Sequence, residues 1–203
     1  MKSRGCLIAG VVLGVLAVVA IGLFSWGVGV YNSMIGLDEG VQSAWSQVES
    51  QYQRRADLIP NLVNTVKGFA AQEKEVLLGV TEARSRVGGI TITKDVVNDP
   101  QAFAKFQAAQ DQLSSAISRL LVVSENYPQL KSNENFLALQ TQLEGTENRI
   151  AVSRRNYNEV VQSYNTRIRT FPGSLIAGFA GFREKQYFKS KEGAENAPQV
   201  KFN

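Results

Sequence analysis

Residues 7–30 read LIAGVVLGVLAVVAIGLFSWGVGV and carry no charged side chain. A helix over this stretch is roughly 36 Å long at about 1.5 Å of rise per residue, and a bilayer core requires about 20 apolar residues. The stretch therefore predicts a transmembrane helix over 7–30, preceded by a short flank over 1–6. A cleaved signal peptide is disfavoured because the apolar run is too long for one. A lipoprotein signal is disfavoured because Cys6 precedes the run.

The residues flanking this span predict its orientation. Lys2 and Arg4 precede it, whereas the first charge after it is Asp38. Because basic residues stay on the cytoplasmic side, we expect the N-terminus inside and the rest of the chain outside the cytoplasm. Trp26 and Tyr31 suit the far membrane interface, where amphipathic rings settle.

The composition argues against an enzyme. The 203 residues include no histidine and a single cysteine, Cys6. Catalysis with a histidine base and the common zinc, haem and iron–sulfur sites are therefore disfavoured, and the carboxylates show no clustering at ligand spacing. The formal net charge of +4 comes from charges that alternate in sign. We predict no catalytic residue, no metal, no cofactor, no small-molecule substrate and no nucleic-acid partner.

Helical periodicity continues after the span. The first helix has an apolar stripe at three- and four-residue steps, made by Met34, Leu37, Val41, Ala44, Trp45, Val48 and Tyr52. Pro60 predicts a break over Arg55–Ile59 and a second helix that begins at Pro60, since proline disfavours helical geometry in the residue before it. That helix has a stripe made by Leu62, Val66, Phe69, Glu73, Val76, Val80, Ala83 and Val87. Gly88–Gly89 ends it.

Two further helices follow a short connector over 90–98, in which Thr91-Ile92-Thr93 suggests extended chain. The third begins after Asp99-Pro100, ends at Pro128, and has a stripe of Phe103, Phe106, Gln110, Leu113, Ile117, Leu120, Ser124 and Tyr127. The fourth has a seven-residue repeat, made by Phe136, Leu143, Ile150, Tyr157, Tyr164 and Phe171, which favours coiled-coil packing. The predicted fold is all-α, with the transmembrane helix followed by an up-and-down antiparallel four-helix bundle over 31–171.

The C-terminal residues permit two interpretations. The fourth predicted helix is longer than the second, so its end should return near the bilayer. Residues 172–190 are apolar and then basic, and Phe179, Phe182, Arg183 and Lys185 are candidates for contact with the membrane interface. The alternative is that the aromatic residues cap the open end of the bundle. Residues 191–203 are polar and are expected to be disordered.

Several motifs along the chain are similar to those of one family. They include Arg55-x-Asp57-Leu58-Ile59-Pro60-Asn61, Glu125-Asn126-Tyr127-Pro128, Tyr157-Asn158, Tyr164-Asn165 and Phe171-Pro172. In this order they resemble the LemA family of bacterial membrane proteins, over nearly the whole chain. The resemblance implies a four-helix bundle behind one transmembrane helix in a bacterial cytoplasmic membrane. Its relatives include a magnetosome-membrane protein, which by analogy points to membrane organisation. Some family descriptions place the N-terminus outside, opposite to the orientation that the flanking charges favour.

Charged residues occur at or beside apolar positions. Glu73 falls within the stripe of the second helix, and Arg154 lies beside the stripe of the fourth. Because buried charges are costly unless paired, we expect Glu73 to meet Arg154 or Arg84. Three interpretations of these charges remain open: a ligand site inside the bundle, an ion pair that fixes helix register, or side chains that extend to the surface.

Repeated dipeptides and proline junctions supply the remaining candidates. Tyr31-Asn32 and Tyr164-Asn165 are expected to join the start of the first helix to the end of the fourth, or else to form a subunit interface with Tyr157-Asn158. Arg55, Asp57 and Asn61 surround Pro60 in a kinked helix junction or a ligand loop. Tyr127-Pro128 is interpreted as a helix stop.

Two functions are compatible with these features. The first is a non-enzymatic scaffold that self-associates or organises the bilayer, with Leu121, Val122 and Val123 as candidates for the contact between copies. The second is an adaptor that binds another envelope protein, such as a membrane protease or a signalling partner. The expected partners are therefore the lipid bilayer, a second copy of the chain and an envelope protein.

Overall fold

Helices make up almost all of the described chain. The computed structural model describes residues 2–90 and 94–189. Its helices are α1 (Lys2–Phe69), α2 (Lys74–Gly88), α3 (Pro100–Ser124), α4 (Pro128–Lys131), α5 (Glu134–Arg169) and α6 (Gly173–Ala180), with a 3-10 turn over Lys94–Asn98. The described ranges contain no β-strand, and the predicted all-α class is confirmed. The expectations for Thr91–Thr93 and for 191–203 concern residues outside those ranges.

Helix α1 has two halves of different character. From Gly10 to Val28 its apolar side chains are exposed around the whole helix, whereas Val30 is buried. Within the described chain, α1 is the helix that is long and apolar enough to cross a membrane, with a mean hydropathy of 2.5 in its most apolar window. A helix that is apolar all round and buries none of that surface in its own fold is typical of a membrane span.

The second half of α1 packs against α5. A Cβ on Gly40 would lie 3.4 Å from Val160, and further along, Arg55 contacts Glu147. Residue numbers rise along α1 as they fall along α5, so the two helices are antiparallel. Helix α2 packs against α3 and returns along the end of α1. The up-and-down bundle of four long helices is not confirmed, because α1 extends into the expected second helix and leaves α2 only 15 residues.

The predicted break before Pro60 is wrong. Helix α1 continues through Pro60 to Phe69, and the chain turns instead over residues 70–73. Proline removes the amide that would bond the carbonyl four residues earlier, here Ala56. Arg84 Nε donates to that carbonyl oxygen at 3.0 Å. Buried Ile59 and Leu62 continue the apolar stripe on both sides of Pro60, so tertiary packing outweighs the local preference.

Most stripe positions of α3 and α5 are buried as predicted. All seven α3 positions from Phe103 to Ser124 are buried, as are the first five heptad positions of α5. Phe171 is 80% exposed because α5 ends at Arg169, before the sixth repeat. Phe69 is 39% exposed because it is the last residue of α1, where the expected second helix would have continued.

The buried side chains form two separate hydrophobic cores. The proximal core lies nearer the apolar half of α1 and runs from Val30 to Tyr52 on that helix. The distal core begins at Ile59 and includes residues of α2, α3, α4 and α5. Arg55 lies between the two along α1, and this boundary is the first of two candidate sites.

Candidate functional site: a polar layer and a clamped C-terminal strap

A polar layer separates the two cores. On α3, Gln110 lies between Phe106 of the proximal core and Leu113 of the distal core. On α5, Glu147 lies between Leu143 and Ile150 in the same way. Arg55 of α1, Gln110 of α3 and Glu147 of α5 thus lie at the same level, between the two cores.

Arg55 is the centre of this polar layer and is 1% exposed. Its Nη1 donates to Ser114 Oγ at 2.7 Å and to Glu147 Oε1 at 2.8 Å. Its Nη2 donates to the carbonyl oxygen of Gln110 at 3.3 Å and to Gln110 Oε1. The guanidinium also lies over the Tyr52 ring, 5.1 Å from its centroid. A shift of α1, α3 or α5 along its axis would break these bonds and leave the buried charge of Arg55 unpaired, which is costly.

The polar layer opens onto a groove of about 520 Å³. Three buried polar atoms in the layer, Tyr52 Oη, Arg55 Nε and Gln110 Nε2, have no hydrogen-bond partner among the described residues. Carboxylates of Asp111, Glu144 and Glu147 also line the groove. No cluster of potential metal ligands occurs within 2–90 and 94–189. The groove offers donors and carboxylates at one place, chemistry that suits a polar, uncharged group such as water.

Burial alters the acidity of Tyr52 in this layer. Desolvation raises the pKa of its hydroxyl, against the opposing effect of the nearby arginines Arg154 and Arg55. The phenol therefore stays neutral at physiological pH and acts as a hydrogen-bond donor or acceptor beside the groove.

Among the described side chains, Glu73 is not paired with an arginine, and the expected pair with Arg154 or Arg84 is wrong. It lies in the turn between α1 and α2, where its Oε1 accepts a hydrogen bond from Tyr127 Oη at 2.7 Å. This bond raises the pKa of the Tyr127 hydroxyl, because the ionised phenol could not donate it. Arg84 and Arg154 bond backbone carbonyls instead, those of Ala56 and Lys189.

The other residues around the two proline junctions have structural roles. Asp57 accepts a hydrogen bond from Gln53 at 2.9 Å on the surface of α1, and Asn61 is exposed on the same helix. Neither side chain lies in the polar layer. Tyr127 precedes α4, and Pro128 is its first residue, so the predicted helix stop at Tyr127-Pro128 agrees with the end of α3 at Ser124.

The second candidate site is formed by residues 181–189, which we call the C-terminal strap. After α6 the chain turns at Gly181, whose φ of 78° suits glycine, and has no regular secondary structure to Lys189. At its end Phe188 enters the proximal core, with its ring centroid 4.9 Å from that of Phe103 and 5.3 Å from that of Tyr157. Arg154 covers the Phe188 ring at 4.6 Å.

Two asparagines of α5 clamp the strap by its backbone. Asn165 accepts from the amide of Lys185 at 2.9 Å and donates to its carbonyl at 3.0 Å. Asn158 makes the same pair of bonds with Phe188, at 2.9 Å and 3.0 Å. Gln107 of α3 forms a third such pair with Lys189. Each side-chain amide therefore bonds the N–H and C=O of one strap residue, as the backbone of a neighbouring β-strand would.

The tyrosines that precede these asparagines bind the strap in the same register. Tyr164 donates to the carbonyl of Arg183 at 3.1 Å, and Tyr157 to that of Gln186 at 3.0 Å. Seven residues of helix rise about 10.5 Å, and three residues of extended chain cover about 10 Å. The distance between successive Tyr-Asn pairs on α5 thus equals the distance between every third residue of the strap. The hydrogen bonds of Tyr164 and Asn165 thus go to the strap. Tyr164 also shares the proximal core with Val30 and Met34 of α1, and Tyr31 packs against Phe182 at a centroid distance of 5.8 Å.

Lys185 ties the strap to the rest of the fold. Its Nζ lies 2.6 Å from Asp38 Oδ1 on α1 and donates to Asn98 Oδ1 at 2.8 Å. The side chain is 6% exposed. Its assignment to the membrane interface is therefore wrong, because the ammonium group is buried in an ion pair. The sequence carried no signal for this pair, whose partners are 147 residues apart.

The other candidates for the membrane interface lie near the end of the apolar half of α1. Phe182 is half-buried against Tyr31 and Tyr164, so it caps the proximal core. Phe179 and Arg183 are exposed, as is Trp26 on α1.

Comparison with known proteins places the chain in a family. A sequence model of the LemA family matches residues 44–202. The chain belongs to the LemA family. The match covers α1 from Ala44 onward, the polar layer and residues 181–189 of the strap.

Three relatives are similar over most of their length. Magnetosome protein MamQ 2 of Paramagnetospirillum magneticum is 28% identical, over 93% of this chain and 75% of the relative. Magnetosome protein MamQ of Magnetospirillum gryphiswaldense is 26% identical, over 84% and 70%. Protein LemA of Metamycoplasma hominis is 27% identical, over 79% and 69%. Together with the exposed apolar half of α1, membership of the LemA family indicates a membrane protein.

Proposed function

We propose that this LemA family protein is a non-enzymatic, membrane-anchored scaffold that self-associates at the surface of a bacterial cytoplasmic membrane. The observation that carries the proposal is the continuity of α1 from Lys2 to Phe69. One helix supplies both the apolar span and a full side of the packed domain. No flexible linker separates them, so the orientation of the domain follows that of the span.

The chemistry of the chain supports a non-enzymatic role. Histidine is absent from the sequence. Arg55 is bonded to Ser114, Gln110 and Glu147, and the side-chain amides of Asn158 and Asn165 bond the backbone of the strap. These bonds have a structural role. The relatives bear names of magnetosome and LemA proteins, none of which describes a reaction.

Orientation of the scaffold follows from the charges that flank the span. Lys2 and Arg4 precede it, and Asp38 is the first charge after it. The positive-inside rule places the N-terminus in the cytoplasm and the domain outside. A reporter fused after Asn203 should be active outside the cytoplasm, and activity only inside would reverse the proposed orientation.

The mass of the full-length protein in mild detergent or lipid nanodiscs tests self-association. Light scattering over a range of concentrations should give a discrete oligomer. A monomer at every concentration would overturn the scaffold and favour the adaptor.

Val122 provides a sharper version of this test. It is 69% exposed on α3, between the half-buried Leu121 and Val123. If this surface forms the contact between copies, Val122→Glu should lower the oligomer mass. Val152→Glu is the matched control, since Val152 is an exposed valine on α5. An equal effect of both variants, or of neither, would place the contact elsewhere.

A second candidate function is an adaptor that binds another envelope protein. The observation that favours it is a groove of about 880 Å³ between α2 and α3. Its walls carry Glu75, Glu82 and Asp111 beside Arg86 and Arg119, a mixed-charge surface suited to a polar protein partner. Crosslinking in cells from a photoreactive residue at position 79, within this groove, would capture such a partner. Crosslinks only between copies of the chain would favour the scaffold.

A further inference from the structure

We infer that α6 is a second membrane contact, whose exposed face lies in the headgroup region of the same bilayer that α1 crosses. The inference rests on the proposed function in one respect, the assignment of the apolar half of α1 as the span. It adds a lipid-binding surface formed by Phe171, Leu175 and Phe179, which we call the α6 apolar surface.

The composition of α6 requires an apolar environment on two sides. Its sequence from Gly173 to Ala180 is GSLIAGFA, in which Ser174 is the single polar side chain. Gly173 and Ala177 are buried against the proximal core, and Ile176 is half-buried beside them. The residues of the α6 apolar surface point away from that core and are 80%, 57% and 95% exposed for Phe171, Leu175 and Phe179. An exposed cluster of large apolar side chains marks an interaction site.

The position of α6 identifies the bilayer as the partner. A Cβ on Gly173 would lie 2.9 Å from Met34 Cε, and Ala177 shares the proximal core with Val30. If the span ends at Val30, as the sequence predicts, Met34 is about 6 Å further along the helix axis. The headgroup region on each side of the hydrocarbon core is about 5 to 7 Å thick. Helix α6 is therefore held at headgroup depth.

Two exposed arginines frame this surface. Arg169 precedes it at the end of α5, and Arg183 follows it in the strap. Arg169 Nε lies 3.6 Å from Glu184 Oε1, and both of these side chains are mostly exposed to solvent. A short apolar helix with arginines at its two ends is typical of a segment that lies in a membrane interface. A second copy of the chain would not require this coincidence with the end of the span.

Spin-label accessibility in the full-length protein tests the inference. Phe179→Cys is made in a Cys6→Ser background, labelled with a nitroxide and reconstituted in vesicles of phosphatidylcholine and phosphatidylglycerol. Collision with oxygen, which concentrates in the bilayer, is compared with collision with a water-soluble nickel chelate. Val15→Cys in the span and Val152→Cys on α5 are the reference sites. Because Phe179 is exposed, its replacement leaves the packing of α6 unchanged.

The inference predicts a shift of the collision ratio at position 179 toward oxygen, in the direction of position 15. A ratio like that of position 152 would overturn it, since the surface would then face water. Low collision with both reagents would also overturn it, because a protein contact between copies would cover the surface. The proposed function fails separately if position 15 itself is accessible to the nickel chelate and not to oxygen.

Discussion

Arg84 of α2 donates a hydrogen bond from Nε to the carbonyl oxygen of Ala56 in α1, at 3.0 Å. This carbonyl is the one that Pro60 leaves without its intrahelical donor. A side chain from the neighbouring helix thus supplies the missing bond, and α1 continues through its proline for nine further residues to Phe69.

Removal of this hydrogen bond should destabilise the protein more when Pro60 is present than when it is replaced. We expect Arg84→Ala to lower the free energy of unfolding by about 1 kcal/mol. In a Pro60→Ala background the amide of residue 60 bonds Ala56, so the same change should cost less. Urea unfolding of the four proteins in a double-mutant cycle measures the difference, which should be roughly 0.5–1 kcal/mol. Equal costs in both backgrounds would show that Arg84 acts elsewhere.

The ion pair of the polar layer is buried on the Arg55 side only. Glu147 is 39% exposed, whereas Arg55 is 1% exposed. Glu147→Ala leaves a buried guanidinium without its carboxylate, which costs about 3–5 kcal/mol in a dry interior and less here, since water reaches the position of Glu147. We expect a loss of about 1–3 kcal/mol. Loss of helical circular dichroism on heating gives the measurement.

Glu144→Ala serves as the matched control, since Glu144 is exposed on α5 and bonds only Gln140 among the described residues. Its effect should lie within about 0.5 kcal/mol. If Glu147→Ala were equally neutral, Ser114 and Gln110 would be sufficient partners for Arg55.

The strap should be released when its clamps are removed. Asn165→Leu leaves the backbone amide and carbonyl of Lys185 unpaired in a buried place, at a cost of about 1–3 kcal/mol each. Release exposes the buried Lys185 and frees the backbone around the already exposed Arg183, so tryptic cleavage within residues 183–189 should accelerate. Mass spectrometry of the digest identifies the cut. Asn148→Ala, an exposed position on α5, should leave the cleavage rate unchanged; faster cleavage in that control would mean general destabilisation.

Two glycines of α6 should respond oppositely to alanine. A Cβ on Gly173 would contact the carbonyl oxygen of Arg167 and Met34 Cε, so Gly173→Ala should displace α6 and destabilise the protein by roughly 1–3 kcal/mol. A Cβ on Gly178 meets nothing within 4 Å, and Gly178→Ala should be stabilising by up to about 1 kcal/mol. Thermal unfolding of both variants checks the pair, and a neutral Gly173→Ala would mean that α6 is loosely held.

Stability should fall at alkaline pH because of buried tyrosines. Burial raises the pKa of Tyr164 to about 12, from an ordinary value near 10, and also raises that of Tyr52. The unfolded chain loses these protons first as the pH rises. The contribution of Tyr164 is therefore complete well below pH 10 and is lost between about 10 and 12. The slope due to Tyr164 should approach about 1.4 kcal/mol per pH unit within this window.

Urea unfolding at several pH values above 9 gives this slope. Tyr164→Phe should make it shallower, and the difference from the unaltered protein isolates Tyr164. Identical slopes would show that Tyr164 ionises equally in the folded and unfolded chains.

Sequence patterns alone predict the helical class, the apolar half of α1 and most buried positions of α3 and α5. These features are local, because a charge-free run or a heptad repeat is read along one helix. The Tyr-Asn repeat was also visible as a pattern with a period of seven, although its partner was not.

The course of α1, the polar layer and the strap depend on contacts between distant parts of the chain. Local rules end a helix before Pro60, but the hydrogen bond from Arg84, 28 residues later, satisfies the freed carbonyl. Likewise Arg55 meets Glu147 across 92 residues, and Lys185 meets Asp38 across 147. A charged side chain shows its partner only when packing brings the two together, since the free energy of pairing depends on burial that no local pattern records.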